Sequence, residues 1–129
     1  MAVINTMIRV KSHKFSLLRN FKNSVEGFVE VTRNEKPMQA ELLCFVIGAV
    51  AIIFLPLSFL PKAILFISLF LPIGAEMINS AIERVVDLAS PEYHLLAKAA
   101  KDAGSAIVLI AIVITALIWA TVLYVTICS

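Results

Sequence analysis

Charge is missing from two long stretches of this chain. Between Leu42 and Ala75 the only charged residue is Lys62, and from Ala103 to Ser129 there is none. Charged residues make up 16% of the whole against 60% hydrophobic, which excludes an ordinary soluble domain. A chain of 129 residues cannot bury that much apolar surface in a private core, so lipid must be its main solvent. Glycine is scarce as well. The four glycines form neither GxxxxGK[ST] nor GxGxxG, and HRD and DFG signatures are absent too. A standard phosphate-cradling loop is excluded, and a nucleotide would have to be held by side chains. The two cysteines, Cys44 and Cys128, fall at opposite ends of the spanning region, which argues against a bond between them within one chain. The first forty residues lack a continuous apolar core, so no cleavable signal peptide is expected.

What charge there is lies asymmetrically. Of eleven Lys and Arg, seven precede Leu42: Arg9, Lys11, Lys14, Arg19, Lys22, Arg33 and Lys36. Arg84, Lys98 and Lys101 fall between the second and third apolar tracts, and Lys62 stands alone in the first connection. By the positive-inside rule the N-terminus and the second connection are cytoplasmic, while the C-terminus faces the other side. That orientation suits a bacterial inner membrane with a periplasmic C-terminus. The expected architecture is an all-α membrane protein of one domain, residues 1–129. It has an N-terminal amphipathic surface helix at about 11–33 and three transmembrane helices at about 41–55, 62–82 and 104–127.

Phe15, Leu18, Phe21, Val25, Phe28 and Val29 form the apolar face of the surface helix, to lie on the inner leaflet or pack on the protein itself. Pro37 marks a junction or helix start, and Pro56 and Pro61 bracket a tight external turn from which Lys62 can snorkel outward. Pro72 and Gly74 predict a kink in span two, and Ser90-Pro91 stops it. A polar connection from Glu92 to Asp102 follows, and Trp119 and Tyr124 fall where an outer aromatic belt is expected.

Into the end of span two falls a polar cluster: Glu76, Asn79, Ser80, Glu83, Arg84 and Asp87. Glu76, Asn79, Glu83 and Asp87 are spaced i, i+3, i+7, i+11 and share one helical stripe. A helix starting near Lys62 needs about 20 residues to cross, so Glu76 sits inside the bilayer boundary and Glu83 and Asp87 beyond it. A carboxylate in lipid is expensive, and by default marks a functional site. Taken out of water near an alcohol, such a group suits general-base work. Wetter carboxylates suit Mg²⁺, which takes one or two protein oxygens plus phosphates and water. Glu35 could supply a second metal ligand or be a solvated surface residue. Lys101, beside Asp102, could hold a phosphate or anchor the helix as a positive-inside cation. Ser105, one turn deeper, can donate to a headgroup or to its own backbone. His94 has no second histidine nearby and is not expected to bind metal.

The run Glu76-Met77-Ile78-Asn79-Ser80-Ala81-Ile82-Glu83-Arg84-Val85-Val86-Asp87, with Glu92-Tyr93-His94 and Lys101-Asp102-Ala103-Gly104-Ser105-Ala106, resembles the prokaryotic integral-membrane diacylglycerol kinases. The resemblance runs without gaps from about Asn34 to near the C-terminus. It implies a small homotrimer with shared active sites that transfers the γ-phosphate of MgATP to diacylglycerol, giving phosphatidic acid. It also implies roles: Glu76 as general base with Asn79 its polar neighbour, and Glu35 and Glu83 as Mg²⁺ ligands. Glu92, Tyr93, His94, Lys101 and Asp102 would contact ATP, Lys101 nearest the transferring phosphate, and Ser105 would touch the lipid.

Two segments depart from the family pattern. Lys36-Pro37-Met38-Gln39 stands where the family often reads Ala-Ala-Phe-Arg. Ser16 and Asn23 stand where relatives carry an arginine and a tyrosine near the nucleotide, leaving Arg19 as the available cation. The rival readings are a kinase of the same fold acting on undecaprenol or another membrane alcohol, a non-enzymatic membrane subunit, and a proton-coupled transporter. Glu76 near a membrane edge, continued by Glu83, Glu92 and Lys101, speaks against the transporter. No nucleic-acid partner is expected.

Overall fold

The structure, a computed structural model, describes residues 16–128, apart from the side chains of residues 127 and 128. Arg9, Lys11, Lys14, Phe15 and the Cys128 side chain lie outside that description. Five helices follow one another: α1 Leu17–Asn34, α2 Lys36–Phe54, α3 Phe59–Ser68, α4 Phe70–Ala89 and α5 Leu95–Cys128. Three units are long and apolar enough to cross a membrane: α2, the α3–α4 pair and α5. This is an all-α membrane protein. At about 1.5 Å per residue α2 is about 28 Å long, close to a hydrocarbon layer of about 30 Å. By the same rise α5 reaches about 50 Å, longer than such a layer.

Helix α1 starts at Ser16, whose side chain accepts from the Arg19 amide at 3.4 Å. A single extended residue, Glu35, then separates α1 from α2. Helix α2 begins five residues before the expected Glu41, because Pro37 falls in a first turn that needs no amide donor there. Met38 is fully buried against Val31 and Ile73, with Leu42, Phe45 and Met77 around them. The Gln39 amide donates to the Thr32 and Arg33 carbonyls at 3.1 and 3.3 Å, tying off α1. The segment that departs from the family pattern thus forms the pin of the α1–α2 hinge.

At the other end of α2, Lys62 turns back to the last turn of that helix. Its ammonium donates to the Ile53 carbonyl at 3.2 Å, satisfying an orphan acceptor of the last helical turn. Span two breaks at Leu69, ahead of the expected kink at Pro72 and Gly74. The reason is local: Pro72 offers no amide to the Ser68 carbonyl four residues back. The Thr115 hydroxyl of α5 reaches that carbonyl at 3.1 Å instead, sharing its one proton with the Ala111 carbonyl of its own helix at 2.9 Å. The Ser68 hydroxyl donates to the Leu65 carbonyl at 2.7 Å and accepts from the Trp119 indole at 3.2 Å. In lipid a freed carbonyl must find a donor, and α5 supplies it. Trp119 is therefore bonded inward rather than serving the outer belt, a role left to the exposed Tyr124. Phe45, Phe66 and Phe70 pack edge to face around the break, with centroids 4.9 to 5.7 Å apart.

Helix α4 stops at Ser90, as Ser90-Pro91 predicts. The following loop is shorter than expected. His94 caps α5: its Nδ1 accepts from the Leu96 amide at 3.2 Å and its carbonyl from the Lys98 amide at 3.0 Å. Lys98, Lys101 and Asp102, expected in a polar connection, therefore stand on the first turns of a helix.

Candidate active site

Helix α4 carries two rows of polar side chains, each with the four-residue spacing that stacks them along a helix face. One row is Glu76, Ser80 and Arg84. The Ser80 hydroxyl donates to Oε2 of Glu35, and the Arg84 guanidinium donates to Glu35 Oε1 through Nη2 at 2.7 Å and Nε at 3.2 Å. Nη1 of Arg84 pairs with Glu30 on α1. The Asn34 amide donates to the same Glu30 carboxylate at 2.9 Å. Arg84 first, and Asn34 second, hold the Glu30 carboxyl below its usual value. Glu76 heads this row and is only 3% exposed. Glu35, Glu41 and Glu83 all lie within electrostatic reach of it.

The second row is Asn79, Glu83 and Asp87. The Asn79 amide donates to Glu83 Oε1 at 3.3 Å, and its buried Oδ1 has no hydrogen-bond partner among the described residues. That oxygen lies against Gly104 of α5, where a Cβ would come within 2.5 Å of it. One turn before Gly104, the Lys101 ammonium sits 2.5 Å from Asp87 Oδ1. Lys98 pairs with Asp102 at 2.6 Å. A cleft of about 400 Å³ continues from this row, lined by Asp87, Glu92, Tyr93, His94, Lys101 and Asp102 among others.

A buried carboxylate, neighbouring carboxylates and a lysine beside a cleft are side chains of the kind that could serve phosphoryl transfer without a glycine loop. The family model for prokaryotic diacylglycerol kinase matches residues 22–123. The chain belongs to that family. The diacylglycerol kinase of Escherichia coli (strain K12) is 37% identical over 91 residues, 70% of this chain and 75% of its own length. That of Haemophilus influenzae (strain Rd) is 34% identical over 114 residues, covering 84% and 92%. That of Helicobacter pylori (strain 26695) is 41% identical over 78 residues, covering 60% and 58%. Family membership makes this chain a kinase, and the residues singled out from its sequence can be placed accordingly.

Glu35, Glu76, Asn79 and Glu83 come together around the α4 rows, although Glu35 is distant in sequence. Glu92, Tyr93, His94, Lys101 and Asp102 share the adjoining cleft. Two residues stand apart within one chain. Arg19 lies exposed near the start of α1, which packs on α2 and α4 but not on α5. Ser105 is exposed on α5 while its neighbour Gly104 faces Asn79. His94 and Ser16 each cap a helix, and the Lys101 charge is met by Asp87 rather than by the adjacent Asp102. Among the described residues no three His, Cys, Asp or Glu side chains converge on one point. Glu35 and Glu83 offer the two hard oxygen ligands that Mg²⁺ accepts when phosphates and water complete its shell.

Sequence reasoning passed over the contacts that hold Glu35 in place, those of Ser80 and Arg84, and it passed over Glu30 and Glu41. Ser80 and Arg84 carried a signal, since each sits four residues along from the preceding member of the Glu76 row. Glu41, half-buried two turns into α2, carried one as the last charge before a long apolar tract.

Proposed function

We propose that this kinase transfers the γ-phosphate of MgATP directly to the hydroxyl of diacylglycerol, giving phosphatidic acid, at the cytoplasmic edge of the inner membrane. The observation that carries this reading is the graded α4 stripe. A Glu76 that is 3% exposed lies two turns from a half-buried Glu83 hydrogen-bonded through Asn79, and one turn further on stands an exposed Asp87 paired with Lys101. A lipid hydroxyl confined to headgroup depth can reach the buried end, while a nucleotide from cytoplasm enters the wet cleft. The acceptor oxygen attacks the γ-phosphorus, the bond from that phosphorus to the β-bridging oxygen breaks, and ADP departs. Glu76 takes the hydroxyl proton in the same step.

Asn79 orients Glu83 through its amide, while its Oδ1 is buried against Gly104 of α5. Glu35 and Glu83 would hold Mg²⁺, which when bound would neutralise charge developing on the transferring phosphate. Lys101 exchanges Asp87 for a phosphate oxygen, and Glu92, Tyr93, His94 and Asp102 seat the nucleotide. With Nδ1 of His94 accepting from Leu96, the neutral ring carries its proton on Nε2, where it can donate. Positioning and charge neutralisation supply most of the rate.

The site is completed between copies in a homotrimer. Supporting this, Arg19 and Ser105 stand away from the cluster in one chain, and Leu109, Ile110, Val113 and Leu117 leave α5 broadly apolar and exposed. The N-terminus is cytoplasmic and the C-terminus periplasmic, as the cation distribution requires.

Transfer of labelled γ-phosphate to diacylglycerol and to undecaprenol in mixed micelles, beside Glu76→Gln, tests the reading. Label on diacylglycerol, lost in the variant, is the expected result. Label on undecaprenol alone would replace the acceptor, and no transfer by a folded protein would refute the reading.

A further inference from the structure

Glu35 is the single extended residue between two helices, and its side chain makes no cap hydrogen bond to α2. Left alone, it would sample several rotamers at the hinge. Three nitrogens of Arg84 prevent this: Nε and Nη2 both donate to Glu35 Oε1, and Nη1 pairs with Glu30. Oε2 is left to the buried Ser80, one turn along α4 from Glu76. These are partly exposed ion pairs, with side chains 47% exposed for Arg84, 46% for Glu30 and 23% for Glu35. Such pairs add little to stability. Their content is geometric, because a planar fork fixes the plane of a carboxylate as a flexible ammonium cannot. Glu30, Glu35 and Arg84 together carry a net charge of −1. The guanidinium therefore removes repulsion between the two carboxylates without cancelling their pull on a divalent cation.

We infer that Arg84 is a positioning residue for Glu35: braced by Glu30, its guanidinium occupies Oε1 and fixes the plane of the carboxylate, so that Oε2, which accepts from Ser80, keeps its second lone pair for the metal. This rests on the reading of Glu35 as a metal ligand given above. It also explains why the surface helix is tied to α4 at this point, since the brace reaches back to α1.

The opposite idea, that Arg84 competes with the metal for Glu35, makes predictions of opposite sign. Removing a competing cation tightens metal binding in Arg84→Gln, and Arg84→Lys, which keeps the charge, changes little. Positioning predicts weaker binding in both, because neither lysine nor glutamine can fork onto two carboxylates. The experiment titrates Mn²⁺ into detergent-solubilised protein holding a methylene-bridged, non-transferable ATP analogue, following the free-ion electron paramagnetic resonance signal. Loss of a residue that orients a metal ligand typically weakens the site by about 10- to 100-fold. A rise of at least about tenfold in half-saturating Mn²⁺ is expected in Arg84→Lys. Its transfer rate should recover as Mg²⁺ is raised, a rescue that general loosening of the protein would not give.

Unchanged or tighter binding in Arg84→Lys and Arg84→Gln overturns the inference. Glu35→Gln separates the two levels of the argument. If Glu35→Gln loses the site while Arg84→Lys keeps it, only the role of Arg84 falls. If Glu35→Gln binds Mn²⁺ like the unaltered protein, Glu35 is no ligand and both readings fall.

Discussion

Gly104→Ala puts the catalytic geometry to a quantitative test. A Cβ at this position would sit 2.5 Å from Asn79 Oδ1 and 3.6 Å from both Asn79 Cγ and Ile82 Cδ1, against an ordinary contact of at least 3.4 Å. Asn79 must therefore yield by about 0.9 Å, the shortfall from that contact. It has little room, being 7% exposed and tied through its amide to Glu83 at 3.3 Å. Two terms compete. Alanine in a helix interior gains about 1 kcal/mol over glycine. Overpacking a buried site costs about 1–3 kcal/mol. The sum runs from about zero to about 2 kcal/mol of destabilisation, so the fold should survive.

Activity should suffer more than stability. Misplacement of reacting groups by about 1 Å can cost about 10²-fold in rate, and Asn79 is hydrogen-bonded to Glu83. The expected outcome is a 10- to 100-fold loss of turnover at saturating MgATP and lipid, with a nearly unchanged unfolding midpoint in micelles. Gly27→Ala is the control, since nothing lies within 4 Å of a Cβ there. It should raise the midpoint and leave turnover intact. Gly104→Ala behaving like Gly27→Ala, stabilised and fully active, would refute the packing of Asn79 on α5.

Thr115→Val strands the Ser68 carbonyl freed by Pro72 and should cost about 1–2 kcal/mol by equilibrium unfolding in detergent, while Thr115→Ser costs less. Pro72→Ala restores a donor for that carbonyl and should shrink the penalty, so strict additivity would count against the contact. Met38→Ala empties a fully buried position under the hinge and should cost about 2–5 kcal/mol on the same scale. The Glu30 carboxyl is held low by Arg84 and then Asn34, so its contribution to holding α1 is full above the ordinary glutamate value. It is lost as pH falls through the lowered value. Hydrogen exchange of residues 17–34, corrected for intrinsic rates, should speed up on acidification in the unaltered protein, and much less so in Glu30→Gln.

Much of this fold is legible in the sequence because lipid leaves so few choices. One charge-free tract and one longer tract interrupted only by Lys62 force three spans, and Ser90-Pro91 marks where the second must stop. Glu76 is conspicuous in the sequence as the carboxylate that ends a long apolar tract, and in the structure the protein itself buries it. Boundaries that depend on caps were harder to place. His94 starts α5 eight residues before the end of the expected loop, through a ring nitrogen whose tautomer no pattern announces. The break at Leu69 follows from which carbonyl Pro72 deprives, and only the folded chain shows that Thr115 supplies the substitute donor.

The same limit explains why Arg84 was passed over while Glu35 was singled out. A sequence stripe says that Glu76, Asn79, Glu83 and Asp87 share a face, but not that neighbouring rows serve different partners. In the structure Ser80 and Arg84 turn to the α1–α2 hinge, whereas Asn79 and Asp87 turn to α5. One helix thus fixes two bodies at once. The row toward the hinge governs where Glu35 stands, and the row toward α5 governs where Lys101 stands. Substituting Arg84, which holds Glu35, should alter metal dependence, and substituting Asp87, which holds Lys101, should alter nucleotide dependence. Arg84→Lys and Asp87→Asn are the pair that separates them: the first should raise the Mg²⁺ requirement with little change in KM for nucleotide at saturating metal. The second releases Lys101 and should shift KM for ATP while leaving half-saturating Mg²⁺ in place. Identical shifts in both parameters from both variants would mean that the two rows act as one.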